Sequence, residues 1–445
     1  MNVCQISKDL NYIFEELVGT YNPEDETGIP LYKEDLSNFI DVGRKIEETT
    51  EWGKNFDKYI GKLVDRIGRT VVVDKHYESS GPDLAVDAIE YGAIIQKVRI
   101  QDIDFEDNPA WDLTPGESYD YFTFKPVEMS QTFFSGKTTF NMEWSWVSKQ
   151  LKGAITNLQT FLSIYAAIEN RIRTKAKIAT DGMKYRLVNG GNAENIARGK
   201  NVVNTLEEYI NATGDTSVKA AYALSSREYL RQLVVTLKKY RKFMKMPTKM
   251  FNLQGELNWT QDNLVMCSLI DVEAALESYL EADTFHNEFV KFDGYSSVAA
   301  WQGITEGLDF DLRSSINVVA PESETEVLYS GIIFTMFDKS GKVVWNEDPQ
   351  YDVAPYNPKG KFTNYFYSYD CNYMLDTAEN CITFVLSDYA IVHEVPADFA
   401  TGTYYNLTDE GEYDEIDYSA LTGETDEEKF ANAGVVYRYL FEDEE

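Results

Sequence analysis

Apolar residues at Leu151, Ile155, Leu158, Leu162, Tyr165, Ile172, Ala176 and Ala179 step by threes and fours, with one turn skipped. That stripe predicts one helix over 146–180. At 1.5 Å per residue such a helix spans about 50 Å, long for a globular domain. The rest of the chain has to be arranged about a rod of that length.

Just before the rod, 77–145 has a different character. "AIIQKVRIQDIDFED" alternates, with Val98 and Ile100 on one face and Ile103 and Phe105 on the other. The change of phase suggests a bulge or strong twist. After the turn-rich "NPAWDLTPGESYD", the stretch "YFTFKPVEMSQTFF" returns as a second strand. An isolated two-stranded arm is marginal in water, so this one is expected to pack on something outside itself.

The stretch "NPKGKFTNYFYSYD" at 357–370 raises a second packing question. Along a strand, Phe362 and Phe366 point one way and Tyr365, Tyr367 and Tyr369 the other. A half-buried strand normally has one polar face. Both faces of this one ask for cover.

Elsewhere the elements are ordinary. Helices are expected at 7–18, 36–47 and 51–67, the last running through Gly68 into the strand "TVVV". Ser225 and Glu228 read as a capping box for a helix with the stripe Leu230, Leu233, Val234, Leu237 and Met244. "DVEAALESYLEA" reads as another helix, and "LYSGIIFTMFDKSGKVVW" as a hairpin over Lys339, Ser340 and Gly341. The C-terminal "LTDEGEYDEIDYSALTGETDEEKF" reads as a solvated, partly flexible tail, with "GVVYRYLFEDEE" closing as a final strand.

Charge narrows the function. The 445 residues carry 74 acids against 41 bases, a net −33. Gripping nucleic acid or an anionic membrane needs the opposite sign. The N-terminus has no apolar core behind a basic start, so no secretory leader is expected. No apolar run approaches the roughly 20 residues of a membrane span. Cys4, Cys267, Cys371 and Cys381 form no CxxC pair and read as buried thiols of a reduced compartment, with Cys371 and Cys381 possible hairpin neighbours.

Catalytic signals are weak. His76, His286 and His393 lie far apart, without metal-ligand spacing. Phosphate-loop, dinucleotide and nucleophile-elbow motifs are absent. Asp102, Asp104 and Glu106 share a strand face, but among 74 acids such grouping is expected by chance. Bases gather at 171–186 (Arg171, Arg173, Lys175, Lys177, Lys184, Arg186) and at 227–249, where eight bases face Glu228. They are solvated helix faces, or contacts for acidic surfaces of neighbouring copies.

Three stretches carry a resemblance: "KYIGKLVDRIGRTVV" at 58–72, "SQTFFSGKTTFNMEWSW" at 130–146 and "NPKGKFTNYFYSYDCNYMLDTAENCITFV" at 357–385. In this order and spacing the chain resembles, over roughly 1–390, the major capsid proteins of small short-tailed bacteriophages (podoviruses) with protein-primed genomes. The resemblance implies an α+β Hong Kong 97-type fold. Its parts would be an N-terminal arm at 1–76, an E-loop at 77–145 and a peripheral-domain spine helix at 146–186. An axial domain at 187–345 and returning peripheral strands at 346–392 would follow, then an acidic segment at 393–445. The strand 361–369 would pack one aromatic face beneath the spine. Relatives with a C-terminal immunoglobulin-like module need about 100 residues for it, more than remain here.

The same resemblance implies a structural protein without catalytic residues, cofactor or metal. It would self-assemble, through pentamer-like and hexamer-like capsomers, into an icosahedral or prolate head enclosing double-stranded DNA. A scaffolding protein and a portal would be its partners, and assembly would occur in the host bacterial cytoplasm. Candidate intersubunit residues are Asp65 and Arg66 at a helix end, Trp111 and Asp112 at the arm tip, and Arg171 and Arg173 on the spine. As an exposed pair, Asp65 and Arg66 would contribute under ~1 kcal/mol. Competing readings are a surface or secreted carbohydrate-binding protein, suggested by aromatic content, and a phage portal or tail subunit.

Overall fold

The computed structural model describes residues 82–86, 94–100, 115–116, 122, 124, 126–127, 129–147, 158–282, 294–302, 313–347 and 350–441. The helices expected at 7–18, 36–47 and 51–67 lie outside these residues, as do Asp65, Arg66, Trp111 and Asp112.

The chain enters through β1 (Ile95–Ile100), β2 (Met129–Phe134) and β3 (Gly136–Val147). The rod follows as α1 (Leu158–Ala197). Next come β4 (Val202–Asn204), α2 (Thr205–Thr213), α3 (Ala220–Ala223) and α4 (Arg227–Phe243). Then β5 (Leu264–Leu269) leads to α5 (Ile270–Ala282), β6 (Ser296–Val298), β7 (Ile316–Val319) and β8 (Glu326–Tyr329). The last long strands are β9 (Ile332–Asp338), β10 (Lys342–Asn346), β11 (Gln350–Val353), β12 (Phe362–Leu375) and β13 (Cys381–Val385). The C-terminal part holds β14 (Tyr389–Val392), β15 (Tyr405–Leu407), β16 (Tyr413–Glu415), α6 (Asp426–Ala433) and β17 (Val436–Tyr439).

The rod was expected from 146, but β3 continues to Val147, and the helix runs on to Ala197. Trp144 stacks on Tyr365 across the β3–β12 pair at 5.9 Å, which holds this segment extended. At the other end, "NGGNAENIA" lacks the apolar stripe, so periodicity stopped short of it. Its asparagines and glutamate are buried and hydrogen-bonded instead.

β12 is the central strand of the first sheet. β3 pairs with it from Gly136 opposite Tyr373 to Val147 opposite Phe362. β11 and β10 pair with it in succession. Gly136 is required where β3 begins: a Cβ there would lie 2.7 Å from the Tyr373 carbonyl oxygen. Tyr365, Tyr367 and Tyr369 are buried, and Tyr367 and Tyr369 pack with Ile172, Ala176, Met183 and Leu187 of α1. The opposite face is polar at its margins, with Lys137 2.7 Å from Asp370 and Ser145 donating to Asn364. Phe366 remains 37% exposed there.

The second sheet runs β4-β13-β9-β5-β6 and supplies most of the core. All seven residues of β9 are buried, and β5 and β13 occupy its two edges. That pairing overturns the hairpin expected over Lys339, Ser340 and Gly341. β10 has no edge of β9 to join; the turn carries the chain across to the first sheet. Cys371 and Cys381 are likewise on strands of different sheets, with free thiols. Burial pushes the thiols of Cys267 and Cys371 up to about 12.

α1 joins the two sheets. Asn192 Oδ1 accepts from Thr335 Oγ1 at 3.0 Å and Thr383 Oγ1 at 2.9 Å. Asn195 Nδ2 donates to Thr383 Oγ1 at 3.1 Å, and Asn189 Nδ2 to the Trp301 carbonyl at 2.6 Å. Gly191 leaves room for Lys342, whose Cε would lie 2.7 Å from an added Cβ.

α4 buries the expected residues Leu230, Leu233, Val234 and Leu237, with Met244 just beyond. Its N-cap is Ser226 rather than Ser225; the Ser226 side chain accepts from Tyr229 N.

The flexible-tail reading is also overturned. Residues 389–439 hold a four-stranded sheet, β14-β17-β15-β16, with α6 beside it. Phe399, Tyr404 and Val436 are buried among Val392, Ile416, Tyr418 and Phe430. The acids occupy exposed positions between these inward residues, so a charge count hides the apolar pattern. Asn204 Nδ2 ties the module to β4 by donating to the carbonyls of Ser387 (2.8 Å) and Tyr389 (3.0 Å).

Replacing Asn192 by Leu removes the acceptor of two buried hydroxyls, Thr335 and Thr383, and is expected to cost about 1–3 kcal/mol. Denaturant melting of the full chain measures this. Adding Thr335→Val and Thr383→Val should restore part of the loss.

Candidate functional site

The β1–β2 arm inverts the usual pattern of a half-buried strand. In "IQKVRI" the residues facing the body are Ile95, Lys97 and Arg99, while Val98 and Ile100 face out. The register sets Ile100 opposite Met129 and Gln96 opposite Phe133. These outward apolar side chains are exposed by 53% (Val98), 65% (Ile100), 65% (Met129) and 61% (Phe133), and Ile94 joins them at 59%. Contiguous apolar surface of this kind marks an interaction site.

Charge holds the inner face. Lys97 Nζ lies 2.9 Å from Asp376 Oδ2, Glu379 Oε1 and the Ser340 carbonyl. Arg99 bonds Asp376 and lies 3.4 Å from Glu256. Asp376 and Glu379 sit on the segment between β12 and β13. Asn258 Nδ2 donates to Glu379 Oε2 at 2.7 Å. Burial pushes the Glu379 carboxyl up, but hydrogen bonds from Lys97 and Asn258 and the charges of Lys97 and Arg99 outweigh it. The group is held below its usual range. Partly buried, multiply bonded ion pairs of this kind orient an element more than they stabilise it. The clamp points the apolar face away from its own body.

Of the sequence-based candidates, only Arg171 has a described side chain. Arg171 is exposed on α1, and the Arg173 side chain lies outside the described set, as do Asp65, Arg66, Trp111 and Asp112. Lys97, Arg99, Asp376 and Glu379 escaped sequence reasoning, although a signal existed: Lys and Arg alternate with Val and Ile in "IQKVRI". Among the described residues no group of His, Cys, Asp and Glu could hold a metal ion, and no helix is long and apolar enough to cross a membrane.

A long helix lying on a sheet, a projecting two-stranded arm and a second sheet domain together make a Hong Kong 97-type capsid subunit. The chain belongs to the family of Phi29-like phage major capsid proteins, whose model matches residues 10–385. It is accordingly a structural protein of a phage capsid, and proteins of this kind associate with their own copies to form the shell. No curated protein matches the chain. Among solved structures it is similar to the capsid of Staphylococcus phage Andhra, at 11% identity over 68% of this chain and 83% of that one, TM-score 0.45. It is also similar to a chain of native bacteriophage P68 in a structure of its head fiber and inner core protein (13%, 68% and 83%, 0.44). A third is the capsid of cyanophage P-SCSP1u (10%, 68% and 87%, 0.42).

Because the Glu379 carboxyl is depressed, its contribution is present above its unfolded value near 4.5 and lost as pH falls through the folded value. Hydrogen exchange normalised for intrinsic rate should show the arm amides protected at pH 7 and released below that window. Glu379→Gln should weaken the pH dependence.

Proposed function

We propose that the chain self-assembles through pentamer-like and hexamer-like capsomers into an icosahedral or prolate head enclosing double-stranded DNA. The observation that carries this reading is the outward apolar face of the arm. Ile100, Met129, Val98 and Phe133 are held away from the chain's own body by Lys97 and Arg99. A neighbouring copy covers that face in the shell. A scaffolding protein and a portal are the further partners, and assembly takes place in the host bacterial cytoplasm. The family assignment sets aside the carbohydrate-binding, portal and tail readings.

The parts follow the same reading: N-terminal arm and first helices at 1–76, E-loop (the β1–β2 arm) at 77–145, spine at 146–186, axial domain at 187–345, returning strands at 346–392 and acidic segment at 393–445. Asp65, Arg66, Trp111, Asp112, Arg171 and Arg173 are assigned to intersubunit contacts. The exposed face of β12 meets another layer of the shell, which covers Phe366. The role is structural rather than enzymatic. The net charge of −33 suits a container, since acidic inner surfaces repel packaged DNA and leave it free to slide.

Electron microscopy of the full chain, expressed with and without the phage scaffolding protein, tests the reading. Uniform closed shells are expected; a discrete monomer under both conditions at every concentration would sink it. Val98→Ser with Phe133→Ser should abolish shells while the melting temperature of the unassembled subunit stays unchanged.

A further inference from the structure

α4 has one face in the core and one that nothing among the described residues covers. The outward stripe is Arg231, Val235 and Lys242, with the half-buried Lys238 beside them, continued just past the helix by Lys245 and Met246. Val235 is 50% exposed and Met246 60%. Arg231, Lys238, Lys242 and Lys245 make no ion pair among the described residues, whereas Lys239 is taken by Glu208 of α2 at 2.6 Å.

α2 touches both α4 and the C-terminal module. Glu208 reaches α4, and the preceding residue, Glu207, lies 3.8 Å from Arg438 of β17. The module carries 13 acids against Lys429 and Arg438 over 388–441. One end strand of the order β14-β17-β15-β16 is β16. Asp409, Glu410, Glu412, Asp414 and Glu415 crowd this edge. All are exposed, and none of their carboxylates is in an ion pair among the described residues. The family model ends at 385, before the module begins.

Each copy thus has a basic, partly apolar helix face on α4 and an acidic strand edge at β16. Two acidic edges repel, so β16 cannot pair with its own counterpart. Two different complementary patches on one subunit give a heterologous contact, the kind that closes into rings. We propose that the α4 face of one copy docks on the β16 edge of the next copy around a capsomer. This inference rests on the capsid reading and extends it to a segment that the family match does not reach. Complementary charge steers such an encounter and sets its register. Packaged DNA is a poorer occupant for α4, because the acidic module beside α2 would repel it.

The test uses full-length chains, co-expressed with the scaffolding protein and scored by sedimentation and electron microscopy. One variant carries Lys238→Glu and Lys242→Glu; a second carries Glu412→Lys and Asp414→Lys; a third carries all four changes. Lys242, Glu412 and Asp414 are exposed and Lys238 is half-buried, so circular dichroism and melting of the subunits should match the parent. Each two-site variant is expected to lower shell yield by about tenfold or more, and the four-site chain to regain it. Unchanged yield in both two-site variants, or loss without recovery in the four-site chain, would overturn the contact. Normal shells holding less DNA in the first variant would also overturn it, assigning the face to nucleic acid. If the parent forms no shells, the capsid reading fails instead.

Discussion

The architecture depends on one helix serving two sheets by two kinds of contact. In its middle, Ile172, Ala176, Met183 and Leu187 of α1 lie on the tyrosine face of β12. That contact is apolar and tolerant of small shifts. In its last turns, Asn192 and Asn195 are keyed to Thr335 and Thr383 on adjacent strands of the other sheet. That contact is directional, because a buried amide left without its partner is costly. The combination sets the second sheet relative to the first with little freedom, and places the segment holding Asp376 and Glu379 where the arm can reach it.

The arm reverses the division of labour found in the core. In the core strand β9 all the apolar side chains are buried. On β1 the charges of Lys97 and Arg99 face inward and the apolar residues face water. A hairpin alone is marginal in water, and this one leans on the ion pairs to Asp376 and Glu379 for its place on the body. It is complete only when another surface covers Ile100, Met129 and Phe133, which is the situation of a subunit in a shell. Many modest contacts of this kind become strong together, since a subunit held by several neighbours gains from multivalency.

Some of this was legible in the residues. The stripe Leu230, Leu233, Val234, Leu237 and Met244 predicted the buried side of α4, and alternation predicted the tyrosine face of β12. The two-stranded arm followed from two extended runs about a turn-rich tip. The polar end of α1 was not legible, because buried asparagines leave no apolar period. The C-terminal module was misread because its acids outnumber the inward Phe399, Tyr404, Phe430 and Val436 that fold it.

The sequence by itself determined local periodicity, the acidic balance, and the order of motifs that carries the family resemblance. These properties are written in spacing and composition. Strand partners were decided by tertiary structure alone. β9 and β10 look like a hairpin, yet they belong to different sheets because β5 and β13 already occupy both edges of β9. Which side of the arm faces water was likewise settled by Asp376 and Glu379, nearly 280 residues away in the chain. Pairing and ion-pair geometry depend on what arrives from elsewhere in the chain, and no local pattern records it.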